Sequence, residues 1–184
     1  CPAAFLASSP SASRAASTAI TFIAQWEPRM PSVKDSDAPL RLAVTVMWSS
    51  PRLVPNLVIS KIHYNPQDQG DDDSDDFEFV EITNNSDLAW DLTGIYFGGL
   101  GFSYQFPPRF IIRARQSVFL ANKPSAFEST YGFTPFDEFF RNLSNSSERL
   151  ELLDGFGNQI DLVVYDDDSP WPEDADGEGY YLQL

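Results

Sequence analysis

Carboxylates dominate the residues of this chain that could do chemistry. GDDDSDDFEFVEIT, Gly70 to Thr83, sets five aspartates within six residues and then turns into an alternating apolar pattern. A second acidic stretch runs from Asp166 to Asp176 and carries Asp166, Asp168, Asp174 and Asp176. Hard cations such as calcium take six to eight oxygen ligands, and flexible aspartate-rich loops can supply them. On a calcium-loop template Asp71, Asp73 and Asp75 fill the first ligand positions. Asp76 then falls where glycine is needed for the sharp turn, and Ile82 falls where a bidentate glutamate should close the shell. In the second stretch Asp174 and Asp176-Gly177 fit, but Pro172 and Gln183 occupy the first and last ligand positions. Neither stretch is a helix–loop–helix calcium site. Asp71, Asp73, Asp75 and Asp76 remain candidates for an irregular calcium site, as do Asp166, Asp168, Asp174 and Asp176. Hydrated acidic loops are the preferred reading, since runs of like charge are normally solvated. Calcium is then expected to shift the melting of residues 55–184 only slightly.

Other chemistries lack their residues. His63 is the sole histidine and Cys1 the sole cysteine, so a histidine triad, a cysteine metal site and a disulfide framework have no donors in this sequence. A serine hydrolase would need His63 as its base, and no Gly-x-Ser-x-Gly elbow accompanies it. No phosphate-cradling glycine loop followed by Lys and Ser/Thr is present. The acidic residues come in runs, not as an isolated pair in apolar surroundings where one acid and one base could be tuned apart. The chain therefore reads as no enzyme, with no catalytic residue and no cofactor other than possible calcium. A net charge of −15 disfavours nucleic acid and anionic membrane surfaces as partners. No apolar run reaches the length of a membrane span.

The elements that would position these groups are short and mostly extended. With 42% hydrophobic residues, 14% aromatic residues and fifteen phenylalanines, the chain has ample material for a sheet-rich core. Its first part differs in character: residues 1–56 hold three acids against five basic residues, in a small-residue and proline-punctuated context. Residues 1–55 read as a linker or the remnant of a preceding segment, and 56–184 as the globular part. LVISKIHY (57–64) reads as a strand with Val58, Ser60 and Ile62 on one face. FEFVEITN (77–84) sets Phe77, Phe79 and Glu81 against Glu78, Val80 and Ile82. TGIYFGG and FSYQF read as aromatic strands, and Pro107-Pro108 marks a strand end or a corner between sheets. SVFLAN is a further strand. Pro124 and Gly132 bracket the one short helix, over 124–131. ERLELLD and NQIDLVVY form a hairpin about Gly155-Phe156-Gly157, and GYYLQL ends the series. Trp171, between two prolines, is expected to plug one end of the core, and His63 to be packed or at an edge. Short strands with Gly, Pro, Asn and Asp between them indicate an all-β sandwich or barrel.

In this order the pieces resemble the lamin tail domain family. The first strand ends in Tyr64-Asn65-Pro66. FEFVEITNNSD, DLTGIYF, YQFPPRFII, SVFLANKPSAFESTYG, RLELLDGFGNQID and SPWPEDADGEGYYLQL follow in the family's sequence, and the last block is most similar to bacterial members. Lys61, where many relatives carry an acid, and Arg115, at a turn position usually held by glycine, depart from the pattern. The resemblance implies an immunoglobulin-like β-sandwich. It also implies a non-catalytic binding or spacer module of a larger secreted or cell-surface bacterial protein, whose partners are neighbouring domains or other proteins. A calcium-stabilised adhesion module, or an accessory domain of a hydrolase or kinase-like enzyme, are the alternatives. A nuclear-lamin role is not expected: no heptad run, nuclear-localisation cluster or prenylation signal is present.

Overall fold

The computed structural model describes residues 54–70, 73–99 and 101–184. The expectation for residues 1–55 lies outside these, apart from Val54 and Pro55.

Strand β1 (Leu57–His63) carries Leu57, Ile59, Ile62 and, one residue beyond its end, Tyr64 into one core. Strict alternation would set Ile62 opposite Ile59. A bulge between Ile59 and Lys61 inserts one residue and reverses the phase, so the expected facing of Ile62 is corrected. β2 (Phe79–Asn84) lies between β1 and β6 (Ser117–Ala121), antiparallel to both. It begins two residues later than its sequence pattern suggests. Ser74–Phe77 instead form one turn of 3-10 helix, with the Asp73 side chain capping the Asp75 N–H.

β2 is buried on both faces. Val80 and Ile82 enter the main core. Phe79 enters a smaller one with Ala121 and Phe127, against which Phe119, Tyr131 and Tyr181 pack. This second core exists because helix α1 (Pro124–Tyr131) lies over the outer face of the sheet, with Phe127 as its buried residue. Proline opens the helix, and Gly132 ends it at φ 78° with its N–H donated to the Glu128 carbonyl, as the sequence predicts. The helix also carries the chain back alongside β6, so the short strand β7 (Asp137–Glu138) pairs in parallel with Leu120 and Ala121 of β6. The sequence pattern gave no sign of β7.

β10 (Leu182–Gln183) completes this sheet against β1, in the order β10-β1-β2-β6-β7. The facing sheet is β4 (Tyr96–Gly98), β8 (Ser147–Leu153) and β9 (Gln159–Asp166), in that order. A ribbon of β3 (Trp90–Asp91) and β5 (Ile111–Ile112) sits beside them. Residues 102–106, expected as a strand, make only isolated bridges at Ser103 and Gln105, while Phe102, Tyr104 and Phe106 fill the core. The corner after Pro107-Pro108 turns through Arg109 at φ 66°. Arg115 takes φ 59°, the left-handed conformation for which glycine is better suited. Its guanidinium is held by Asp87 and by the Asn85 side chain, which fixes the turn.

The sheets form an immunoglobulin-like β-sandwich and meet through Leu57, Val80, Leu150 and Leu152 of the shared core. The Ile59 N–H, freed at the bulge, donates to Asp161 Oδ2 of β9 at 2.8 Å. At the ends of β1 and β9, Tyr64 and Tyr165 stack with centroids 4.7 Å apart. The acidic segments that follow these two strands therefore leave the sandwich at the same end.

Candidate functional site

Both acidic segments fold at this end, and the structure separates them chemically. Asp71 lies outside the described residues. Asp73 Oδ1 accepts the Asp75 N–H at 3.3 Å. Asp75 Oδ2 accepts the Asn142 side-chain amide, and Asp76 pairs with Lys123. Burial, then the charge of Asp73, raises the Asp75 carboxyl above its ordinary range. Asp73, Asp75 and Asp76 thus each engage a different neighbour, and these three described candidates do not converge on one point.

Behind them lies Glu78, which is fully buried. Its Oε2 accepts the Leu143 N–H at 3.0 Å and the Asn122 side-chain amide at 3.3 Å. Oε1 finds no hydrogen-bond partner among the described residues. Burial pushes this carboxyl up to about 8, so it is protonated at neutral pH. Glu148 does similar work from the facing sheet: Oε1 accepts the Phe102 N–H at 3.0 Å and Oε2 the Ser144 N–H at 3.1 Å. The Tyr165 hydroxyl lies 2.7 Å from the Ser144 carbonyl and 3.3 Å from Glu148 Oε2. Together these groups tie the loop at residues 142–146 to both sheets.

The second segment is different. Asp166, Asp167 and Asp168 each bring a carboxylate oxygen within 4.8 Å of the others, the one such group of His, Cys, Asp or Glu among the described residues. Asp166 Oδ1 also accepts the Asp168 N–H at 3.0 Å. Asp174 sits in a short 3-10 turn, Glu173–Ala175, apart from this group. Asp176 Oδ1 accepts the Asn65 side-chain amide at 2.6 Å, and Gly177 N–H donates to the Asn65 carbonyl at 3.0 Å. The second segment is thereby closed over Tyr64-Asn65. Tyr64 is fully buried and its hydroxyl has no hydrogen-bond partner among the described residues. Burial, followed by the charges of Asp176, Asp167 and Asp166, pushes that hydroxyl up to about 12.

Of the candidate ligands, then, Asp166 and Asp168 come together and Asp167 joins them. Asp73, Asp75, Asp76, Asp174 and Asp176 do not. Sequence reasoning passed over Tyr64 and Glu78 as functional groups. Glu78 had a signal, since it shares a strand face with Val80 and Ile82, the face that becomes core.

Little here supports acid–base catalysis. His63 is buried at the edge of the second core, against Phe79 and Tyr181, with Nδ1 3.3 Å from the Tyr131 hydroxyl. Burial lowers it to about 4, so it is neutral in the fold. A cleft of about 290 Å3 over β4 is lined by Tyr96, Phe97, Ser103, Tyr104 and Gln105. It offers no carboxylate, histidine or cysteine, and the Tyr104 hydroxyl is already donated to Asp137 at 2.8 Å. Trp171 packs against the core beside the second segment, as expected of a plug. No described helix is long and apolar enough to cross a membrane.

Comparison with known families returns one match, the Lamin Tail Domain, over residues 51–167. No curated protein matches the chain. The family match stops within the Asp166–Asp168 run, so the closing segment and β10 lie beyond it although they complete the sheet.

Proposed function

Because the chain belongs to the lamin tail domain family, a family of non-enzymatic immunoglobulin-like domains, we propose that it acts as a non-catalytic binding or spacer module of a larger protein, bacterial and secreted or displayed at the cell surface. Its partners are neighbouring domains of the same polypeptide or other proteins. The observation that carries this reading is β9. Eight residues long, its only strand pairing among the described residues is with β8, while its Asp161 side chain holds the Ile59 N–H, and Val164 is 55% exposed on it. An extended edge strand with apolar side chains can accept a further strand or an apolar partner surface. Phe156, in the turn that leads into β9, is 76% exposed and is a second apolar side chain at the surface, before the start of the strand. The buried acids and the Tyr165 hydroxyl meanwhile hold backbone, which leaves them unavailable to a substrate.

Site-specific photocrosslinking in the source cells tests this reading. A photoreactive residue at 164 or 156 should give a discrete protein adduct that the same group at Phe133, beside the helix, does not give. Equal labelling from all three positions, or none from 164 and 156, counts against a β9 interface. An accessory role to an enzyme outside this chain is the reading such an adduct would favour if the captured protein were a hydrolase or kinase-like domain.

A further inference from the structure

Sheet edges are normally blunted by shortness, by proline or lysine, or by cover. Among the described residues, three of the four edges of the two facing sheets follow that rule. β7 and β10 are two residues long. The free side of β4 is met by residues 102–106, through the Tyr96–Gln105 bridge, the Phe97 N–H donated to the Tyr104 carbonyl and the Phe106 N–H donated to the Ile95 carbonyl. β9 is the exception: QIDLVVYD holds no proline, glycine or lysine over its eight residues. From Ile160 to Tyr165 its main chain makes no hydrogen bond outside the β8 pairing among the described residues. A row of backbone donors and acceptors is left along its outer side.

Alternation decides which side chains a further strand would meet. Val163 and Tyr165 pack into the core, so Leu162 and Val164 lie on the outer face, opposite Glu151 and Arg149 of β8. Arg149 is already paired with Glu151 at 3.1 Å. It is also the last cation of the sequence: beyond it there is no Lys, Arg or His, while ten acids lie from Glu151 to Glu178. β9 therefore runs between Asp154 before it and Asp166–Asp168 at its end, with no basic residue of its own. A second copy of this chain would bring the same acids edge to edge at a net charge of −15 each, which opposes pairing. A cationic strand meets the opposite condition.

We propose that β9 takes up an extended protein segment as a further strand of the β4-β8-β9 sheet, and that this segment carries apolar residues at alternate positions with Lys or Arg between and beyond them. Main-chain hydrogen bonds to the outer side of β9 supply the affinity, and the alternate side chains set the register. The apolar set lies beside Leu162 and Val164 on the outer face. The basic residues at one end of the segment lie beside Asp166–Asp168, and the acidic surroundings of β9 draw the segment in from a distance. This partner rests on the β9 interface proposed above and adds its chemistry: a cationic strand, not an apolar surface and not a second copy.

The test titrates the full chain with a blocked synthetic peptide, KVTVKVTVK, and with its acidic counterpart EVTVEVTVE, reading fluorescence anisotropy and the hydrogen exchange of β9 amides. The basic peptide should bind saturably and slow exchange within 160–165, and the acidic one should do neither. Val164→Lys, a change at an exposed position, should weaken binding about tenfold by blunting the edge. Leu88→Lys, which adds the same charge away from β9, should bind like the parent. Raising the salt to about 0.5 M should weaken the parent complex several-fold. Equal binding of the acidic peptide, or binding of the basic one without slower exchange in β9, overturns the cationic strand. So does a dimer of the free chain in sedimentation whose β9 amides are already protected, since a second copy then holds the edge. Failure of the basic peptide to bind, with a discrete adduct still formed at 164, sinks this partner and leaves the β9 interface standing; loss of that adduct as well sinks both.

Discussion

The acidic turn before β2 and the acidic turn after β9 have much the same composition, yet the fold treats their carboxylates in opposite ways. In the first, the protein supplies a separate partner for each described acid: the Asp75 N–H for Asp73, Asn142 for Asp75, Lys123 for Asp76, and Leu143 with Asn122 for Glu78. In the second, Asp166, Asp167 and Asp168 each bring a carboxylate oxygen within 4.8 Å of the others. Like charges held together are destabilising unless something neutralises them. The partners around a run of acids, and not its charge count, therefore decide whether it is a structural clamp.

The clamp breaks most readily at Glu78. Its replacement by alanine leaves the Leu143 N–H and the Asn122 amide without their acceptor and opens a cavity under β2. At pH 5.5, where the native carboxyl is protonated and carries no burial penalty for charge, Glu78→Ala should cost about 3 kcal/mol. Urea denaturation measures this. A loss below about 1 kcal/mol would mean that the 142–146 loop does not depend on this acid.

The same residue gives the clamp a pH signature. The Glu78 carboxyl is raised from 4.5 to about 8, so between these values the fold keeps a proton that the unfolded chain has released, and stability falls as pH rises through that window. His63 is lowered from 6.5 to about 4, so the unfolded chain binds a proton that the fold refuses, and stability falls as pH drops through 6.5 toward 4. The two slopes oppose each other between 4.5 and 6.5. Above 6.5 only the Glu78 slope remains, and it removes roughly 2 kcal/mol by pH 8. Glu78→Gln, which cannot ionise but keeps an acceptor for Leu143, should flatten that alkaline limb and leave the acid limb intact. Denaturant curves at pH 6.5 and 8 read the difference, and an unchanged slope in the variant would place the titrating group elsewhere.

Periodicity reached the elements but not these partnerships. β2, the β8–β9 hairpin and α1 were legible because their signals are local: alternation in FVEIT, Gly157 after an Asp turn, and Pro124 and Gly132 around the helix. The bulge at Ser60 was not, since VISKIHY supports either phase until β2 and the Asp161 carboxylate fix which one is used. β7 is two residues long and owes its position to the helix that returns the chain beside β6. At the candidate site, aspartates were visible as residue types. Asp166, Asp167 and Asp168 converge as sequence neighbours, whereas the closing of the last segment by Asn65 and Asp176 is a contact across 111 positions of sequence. Tyr64 was hidden for the same reason as Ile62, because the bulge turns both toward the core.

In the second segment the effect is smaller and has the opposite sign. Removing the unpaired hydroxyl with Tyr64→Phe takes away a buried polar atom while keeping the stack on Tyr165. With calcium chelated, the variant should be as stable as the parent or more stable by up to about 1 kcal/mol. A loss of more than that, measured by thermal melting in chelator, would show that the hydroxyl has a protein partner and would close the distinction between the two segments.

The smallest effect is expected where the first segment is most exposed. Lys123 and Asp76 form an ion pair with the lysine side chain 47% exposed and the aspartate 25%. Water screens such a pair, and holding a long lysine side chain in one rotamer opposes the attraction. Lys123→Met, which keeps the aliphatic stem at the cap of α1 and removes the charge, should change stability by no more than about 0.5 kcal/mol. A calorimetric titration with calcium chloride that found an ion bound by Lys123→Met and not by the parent would mean that Asp73, Asp75 and Asp76 hold a cation once the competing ammonium is gone. The lysine, and not the geometry of the turn, would then be what keeps the first acidic segment from being a metal site.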